Sequence, residues 1–565
     1  LLSDRGHLGR PIPMATFLAN VIFHGQEMWF WNATNVFLHL CTGVLVFLLA
    51  CRLIGHTQND KTVACGWAAL LVAGIWLLHP LQVSTVLYTV QRMAQIPALF
   101  IFAGLFAYVA GRQRQIAQAT GGWLLIGLAF LVLFPLALFS KENGVLFPVF
   151  ALLIEVFVLR FRGGVKIRRS LTVLYVLVLL LPAITGIAYL AINHETLVMP
   201  GYESREFTLS ERVMTQFRVL LFYLYLLILP VQKNMGFYHD DFPVSHGFLD
   251  PPGTLFAALI VAGMIIGAIL AGKKYALPAF GVLFFFVAHS LEASVFSLEL
   301  FFEHRNYLPA FGIILGFVVL LGAMFRDRRM IVAAGSGILV VLPALTAMRA
   351  DTWGSFDKFY NHAYRSHPES KRVNIIFDNH FADAVQYDKA LQLMQNFDDV
   401  GFTLNRLFVM CRRDWQIPAQ EVIEAQGGLQ GVVGNHALNS LILLANAGLD
   451  DQCAFNRQSF IGLVDAVLER PVSSRNKSVI LMYKAHFLHR EQQLEAALAA
   501  LREAYRFESA TPVTLLLGTE WLLDSGDIDR ARSWYSEALE VIATSKHDFS
   551  EYTQGIEARL GDSGP

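Results

Sequence analysis

Ten apolar runs, each about 14 to 22 residues long, succeed one another between residues 33 and 347, and runs of that length are what a bilayer demands of a helix. They occupy 33–54, 63–79, 93–111, 122–140, 144–159, 171–192, 254–272, 277–290, 307–325 and 330–347. The shorter ones need interfacial residues to complete a span. Beyond about residue 348 charged residues return every few positions. The pattern predicts an all-α chain: a polytopic membrane domain over 1–348, then a soluble helical domain over 349–565. Of the 565 residues, 55% are hydrophobic and 16% charged, against about 25% charged in an average soluble protein. That composition excludes a soluble multidomain enzyme. A net charge of −1 offers no basic field for nucleic acid. Five cysteines are too few for a disulfide scaffold. Cys41, Cys51 and Cys65 lie in or beside apolar runs and read as inert; Cys411 and Cys453 can pair if the polar part faces an oxidising compartment.

Topology follows from the basic links. Arg52 and Lys61, then Arg112 and Arg114, then Arg160, Arg162, Lys166, Arg168 and Arg169 mark the cytoplasmic side. Lys273, Lys274 and the Arg326–Arg329 cluster join them if the short run 219–230, with Arg218 before it and Pro230 at its end, does not cross. Residues 213–230 are therefore read as a re-entrant or interfacial helix. The loops 1–32, 79–92, 140–143, 193–253 and 291–306 then share the external face, as does the C-terminal domain. The chain begins at Leu1, and residues 1–32 read as an extramembrane segment between two helices, with one helix expected before it.

Each external loop carries charge, and ionisable residues at membrane depth usually pair or line a polar site. His79-Pro80 ends a run, with Arg92 following; Pro frees backbone groups toward a cavity, or the pair is an interfacial His and a snorkelling Arg. In Ser140-Lys141-Glu142-Asn143, Lys141 suits a phosphate and Glu142 a hydroxyl or cation, unless the two neutralise each other. In Glu299-Leu-Phe-Phe-Glu303-His304-Arg305-Asn306-Tyr307, a helix would put Glu299 and Glu303 one turn apart, and Arg305 offers a planar fork for phosphate; a structural ion-pair cluster is the alternative. Arg218 opens the short run, and Tyr238-His239-Asp240-Asp241 closes the next loop. Two carboxylates and a His suit a base or a metal, but no spacing matches a known ligand motif, so no metal is assigned.

The runs LLHPLQVSTVLYTVQRMAQIPALF, FSKENGVLFPVFALLIE and LELFFEHRNYLPAFG, in that order, resemble the transmembrane and tetratricopeptide-repeat O-mannosyltransferases and their bacterial relatives, of the GT-C class. GRPIPMATFLAN, NATNVFLHL and MTQFRVLLFYLYLLILP extend the resemblance over nearly the whole chain. It implies a sugar donor carried on a polyprenyl phosphate, no cofactor, and an exported protein as acceptor, in the bacterial inner membrane with a periplasmic site. It implies that Arg92, Lys141 and Arg305 hold the lipid phosphate while His79, Glu142 and His304 shape the catalytic pocket. Glu303, Arg218 and Tyr307 go with the donor site, and His239, Asp240 and Asp241 with a donor or acceptor loop. The catalytic base of that class is an Asp or Glu soon after the first helix, which makes Asp4 the weak candidate in this segment, with the main base expected before Leu1.

The C-terminal part carries its own signal. Leu494-Glu495-Ala496-Ala497 is matched 34 residues later by Ile528-Asp529-Arg530-Ala531, Phe487-Leu488 by Trp521-Leu522, and Ala504 by Ala538. That is the tetratricopeptide period, and such arrays bind proteins on a concave face; a merely stabilising helical cap is the bland alternative. A ligase or polymerase acting on a glycan or lipid acceptor, and a non-enzymatic transporter or scaffold, stay open. A transporter should show broken helices in two repeated halves, and no such symmetry is apparent.

Overall fold

The computed structural model describes residues 9–57, 63–203, 205–324, 328–383, 385–507, 512–544 and 549–562. Asp4 and Lys61 lie outside the described residues. Among the described residues the protein is all-helical, without a strand. It divides into two compact units, Leu1–Val198 with Leu209–Val373, and Met199–Thr208 with Asn374–Pro565. The division falls past the break in composition near residue 348, because the polar helix Phe356–Ser366 packs on Arg328–Thr352 within the first unit.

In the first unit every apolar run is helical. Among the described residues, six helices are long and apolar enough to cross a membrane: Met28–Thr57, Thr89–Ile116, Glu142–Leu159, Val165–Ile192, Gly253–Ala271 and Val332–Thr352. Cys65–Leu77, Gly122–Leu138, Ala276–His289 and Ala310–Met324 are shorter apolar helices. Two readings change. Residues 1–32 are not simply a loop: Pro11–His24 is an apolar helix, opened by a proline whose fixed φ suits the first turn. The helix read over 213–230 starts one turn earlier and ends two residues sooner, at Leu209–Ile228, so that Glu211 and Arg212 belong to it as well. The wide five-residue turns Ala129–Leu133 and Val176–Leu180 precede Pro135 and Pro182. Each proline lacks the N–H the preceding turn expects, and its ring crowds that carbonyl, so the ladder shifts register.

Two features fix the packing. Arg112 and Glu155 are both fully buried and form a bidentate pair, Nε to Oε2 at 2.8 Å and Nη2 to Oε1 at 2.9 Å. Tyr108 donates to the same carboxylate, Tyr175 donates to Tyr108, and the remaining guanidinium donors reach Gln115 and the Arg162 carbonyl. Elsewhere Ala276–His289 and Ala310–Met324 cross at Gly281 and Gly312, where a Cβ on either would strike the other's carbonyl oxygen. Small residues permit such close backbone approach. Gly281→Val therefore forces the helices apart and should cost about 1–3 kcal/mol, seen as a lower midpoint of thermal aggregation in detergent. Gly267→Ala, with open space around it, should leave that midpoint unchanged.

The second unit is a succession of helix hairpins. Ser474–Arg490 packs on Leu494–Phe507, and Val513–Asp524 on Ile528–Thr544. The turns repeat as well as the helices: Gln492 (φ 60°) and Gly526 (φ 82°) take left-handed backbone at equivalent positions, 34 residues apart like the motifs they separate. Ion pairs Glu495–Arg530 at 2.7 Å and Asp524–Arg559 at 2.6 Å link alternate helices, each pair skipping the one between. Ala497, Leu501 and Ala504 of one hairpin and Trp521, Ala531 and Ala538 of the next are buried, small residues letting the helices approach. Asp399, Asn456 and Ser473 cap helix starts by accepting backbone N–H bonds, as their short polar side chains favour. Cys411 and Cys453 are joined in a disulfide, with Cα atoms 5.7 Å apart.

Candidate functional site

The long helix that begins at Arg92, the polar link at 139–146 and the loop 290–309 converge within the first unit. They line a partly open cavity of about 30 Å³, formed by Ala94, Pro97, Ala98, Ile101, Lys141, Asn143, Ala288, Glu292, His304, Arg305, Tyr307, Leu308 and Pro309. Two cations meet there on one carboxylate. Lys141 Nζ lies 2.7 Å from Glu292 Oε1, and Arg305 Nε lies 3.8 Å from Glu292 Oε2. Arg305 also donates to the Leu300 carbonyl and stacks over Phe302. Tyr307 is fixed from behind: its hydroxyl meets His39 Nδ1 at 3.0 Å, and Trp76 donates to its carbonyl.

The loop carrying Glu292 is held by the helix Leu209–Ile228. Arg212, fully buried, donates to the carbonyls of Glu292, Ser294 and Leu298. Gln216 donates to the Leu300 carbonyl, and Tyr223 brackets Phe302 by donating to its carbonyl and accepting from its N–H. A loop without regular structure thus acquires fixed backbone through side chains of a neighbouring helix.

Burial alone would raise the Glu292 carboxyl, but the charges of Lys141 and Arg305 override it and hold it well below the usual carboxylate range. His304 is pushed down to about 3, first by burial and then by the nearby charges of Lys141 and Arg305. The folded protein therefore keeps His304 neutral, while the unfolded chain takes up a proton below a pH of about 6.5. Stability contributed by neutral His304 is present above that pH and is lost as pH falls toward 3. Between pH 7 and 5.5 the wild type should lose about 1–2 kcal/mol more than His304→Gln, measured as the difference between the two proteins in thermal unfolding. Glu292 contributes to acid sensitivity only below the ordinary carboxylate range, outside that window.

Of the residues expected at the site, Lys141, His304, Arg305 and Tyr307 are brought together. Lys141 and Glu142 do not neutralise each other: Glu142 turns to Arg10, at 2.9 Å. The others are placed elsewhere. Arg92 is sealed, 0% exposed, its donors taken by Asn35, Asn20, Thr16 and the Trp31 carbonyl between the rings of Phe17 and Trp31. In place of a phosphate it holds the Pro11–His24 helix. His79 is buried, with Nε2 on the Leu227 carbonyl and Nδ1 accepting from Leu81 N–H, so both ring nitrogens serve packing. Arg218 donates to the Pro243 carbonyl and Ser245.

The expected helix through Glu299 and Glu303 does not form: Phe302 is extended, with φ −148° and ψ 132°. Glu299 pairs with Arg372, while Glu303 belongs to a separate buried cluster with Arg349 at 3.2 Å and His239 at 3.6 Å. Asp241 pairs with His367 at 2.9 Å, and Asp240 accepts from Ser370 and the Arg372 N–H. The loop His239-Asp240-Asp241 therefore ties the segment 367–372 down and does not line the cavity. Glu292 and Arg212 belong to none of the motifs that mark the sequence. A carboxylate just past the end of an apolar run is the signal Glu292 does carry.

No protein-family model matches the chain, and neither a curated protein nor a solved structure matches it.

Proposed function

We propose that the chain is a membrane glycosyltransferase of the GT-C type, moving a sugar from a polyprenyl-phosphate-linked donor to a Ser or Thr hydroxyl of an exported protein. The observation that carries this reading is the meeting of Lys141 and Arg305, from links almost 165 residues apart (141 and 305), in one cavity at the ends of apolar helices. Two cations there suit the phosphate of a lipid whose chain stays in the bilayer. They stabilise negative charge as it develops on the leaving phosphate. The bond between the anomeric carbon and the phosphate oxygen breaks, the hydroxyl oxygen bonds to that carbon from the opposite face, and the configuration inverts. The hydroxyl proton goes to a carboxylate acting as general base. Among the described residues we assign that role to Glu142, next in sequence to Lys141, which pairs with Arg10 outside the cavity lining and must turn from it to take up the proton. No metal or nucleotide sugar is invoked.

The hairpins of the second unit read as tetratricopeptide repeats that present the acceptor. Their 34-residue repeat extends to the left-handed turns at Gln492 and Gly526, which a merely capping bundle does not require. The Cys411–Cys453 disulfide is in keeping with an oxidising compartment, hence with a periplasmic second unit in a bacterial inner membrane. In cells, intact-mass analysis of co-expressed exported proteins tests the reading. A hexose- or pentose-sized increment present with the wild type and absent with Lys141→Ala, at equal membrane abundance, is the expected result. Unmodified proteins together with altered surface polysaccharide would transfer the reading to a glycan ligase. Unmodified proteins and unaltered polysaccharide would remove the enzyme reading.

A further inference from the structure

The place between Lys141 and Arg305, where the ligand those cations suit would sit, is already filled by a protein side chain. The cavity of about 30 Å³ holds one or two waters, and the position facing both cations is taken by Glu292, itself buried. Its two carboxylate oxygens face one cation each, as two oxygens of a phosphate would. A carboxylate in such a setting neutralises charges that would otherwise be buried without a partner, at severe cost. A phosphate arriving at the same place does that work itself and leaves Glu292 without its partners.

We propose that Glu292 is a built-in stand-in for the ligand's phosphate, displaced when a phosphate group binds Lys141 and Arg305. The assignment rests on the proposed reading of this cavity as the phosphate site. It gives Glu292 a definite role: it keeps the empty site folded and charge-balanced, and it sets a threshold that a ligand must exceed. Selectivity follows, because a neutral lipid cannot displace a carboxylate from two cations, whereas a group carrying negative charge on two oxygens can. Arg212 serves the same end by fixing the loop backbone at Glu292, Ser294 and Leu298, so that displacement is a movement of one side chain on a held main chain.

The threshold is measurable. Apparent affinity is reduced by the fraction of molecules whose site is open, so a site open about one time in ten binds about tenfold more weakly than its intrinsic affinity. Farnesyl monophosphate binding to the full chain in detergent should therefore tighten about tenfold in Glu292→Gln, which keeps the shape and removes the charge. Glu292→Asp keeps the charge with a shorter reach and should fall between the two. It also serves if the glutamine variant does not fold. Lys141→Gln and Arg305→Gln should weaken binding in either background, and inorganic phosphate at equal concentration should bind more weakly than the lipid.

If both Glu292 variants bind no tighter than wild type while Lys141→Gln still weakens binding, the stand-in is wrong and the phosphate site stands. If neither Lys141→Gln nor Arg305→Gln weakens binding, the site reading itself fails. If inorganic phosphate matches the farnesyl ester, the lipid assignment falls and the displacement by phosphate remains.

Discussion

Replacing Arg305 by Ala is expected to lower the rate of sugar transfer about 10²- to 10³-fold, the usual effect of removing one preorganised donor to developing negative charge. Lys141→Ala should do the same, because the two cations lie on opposite oxygens of one carboxylate and are proposed to act on one phosphate. Groups acting on the same charge are not additive, so the double variant should lose much less than the product of the two single losses. Lys358→Ala, which removes an exposed cation paired with Asp351, should retain full activity. Steady-state transfer with membrane abundance held equal checks all four proteins. Equal loss in the Lys358 variant would mean that the assay reads general charge and not this site.

The largest effect on stability should come from the other end of the same unit. Glu155→Leu leaves the Arg112 guanidinium buried beside Gln115 and the Arg162 carbonyl with its counter-charge gone. Breaking a buried pair by removing one partner costs about 3–5 kcal/mol, enough to prevent accumulation of a marginally stable membrane protein. The double variant Arg112→Met/Glu155→Leu should recover most of the loss, since an apolar pair of similar volume can be as stable as a buried ion pair. Folded yield and thermal midpoint in detergent distinguish the two. A double variant as damaged as the single one would locate the cost in the hydroxyls of Tyr108 and Tyr175, which lose their acceptor chain.

The all-helical fold was legible because apolar runs of membrane length force helices whatever surrounds them. What escaped depends on partners remote in sequence. Arg92 looks like a ligand-binding cation in its own run; only the packing of Thr16 and Asn20 from the Pro11–His24 helix shows that its donors are used. Glu303 and Arg305, two positions apart, look like one cluster in the sequence, yet the extended backbone at Phe302 and the tight turn after it send one to Arg349 and the other to Glu292. Glu292 belongs to no motif. It matters because Arg212, 80 residues earlier in the chain, fixes its loop. Lys141 drew notice because it stands in a four-residue polar link between apolar helices, and Arg305 because it closes a run of three ionisable residues at the edge of one; both lie in the cavity lining.

The most direct test of the account is a reconstituted reaction: purified full chain, a polyprenyl monophosphate carrying a labelled sugar, and a Ser/Thr-containing exported protein as acceptor. The account predicts label on the acceptor with inverted anomeric configuration, release of polyprenyl phosphate in equal amount, and loss of both in Arg305→Ala. Transfer that persists undiminished in Arg305→Ala and Lys141→Ala would contradict it, because the phosphate would then be held somewhere other than the cavity that these two residues share with Glu292.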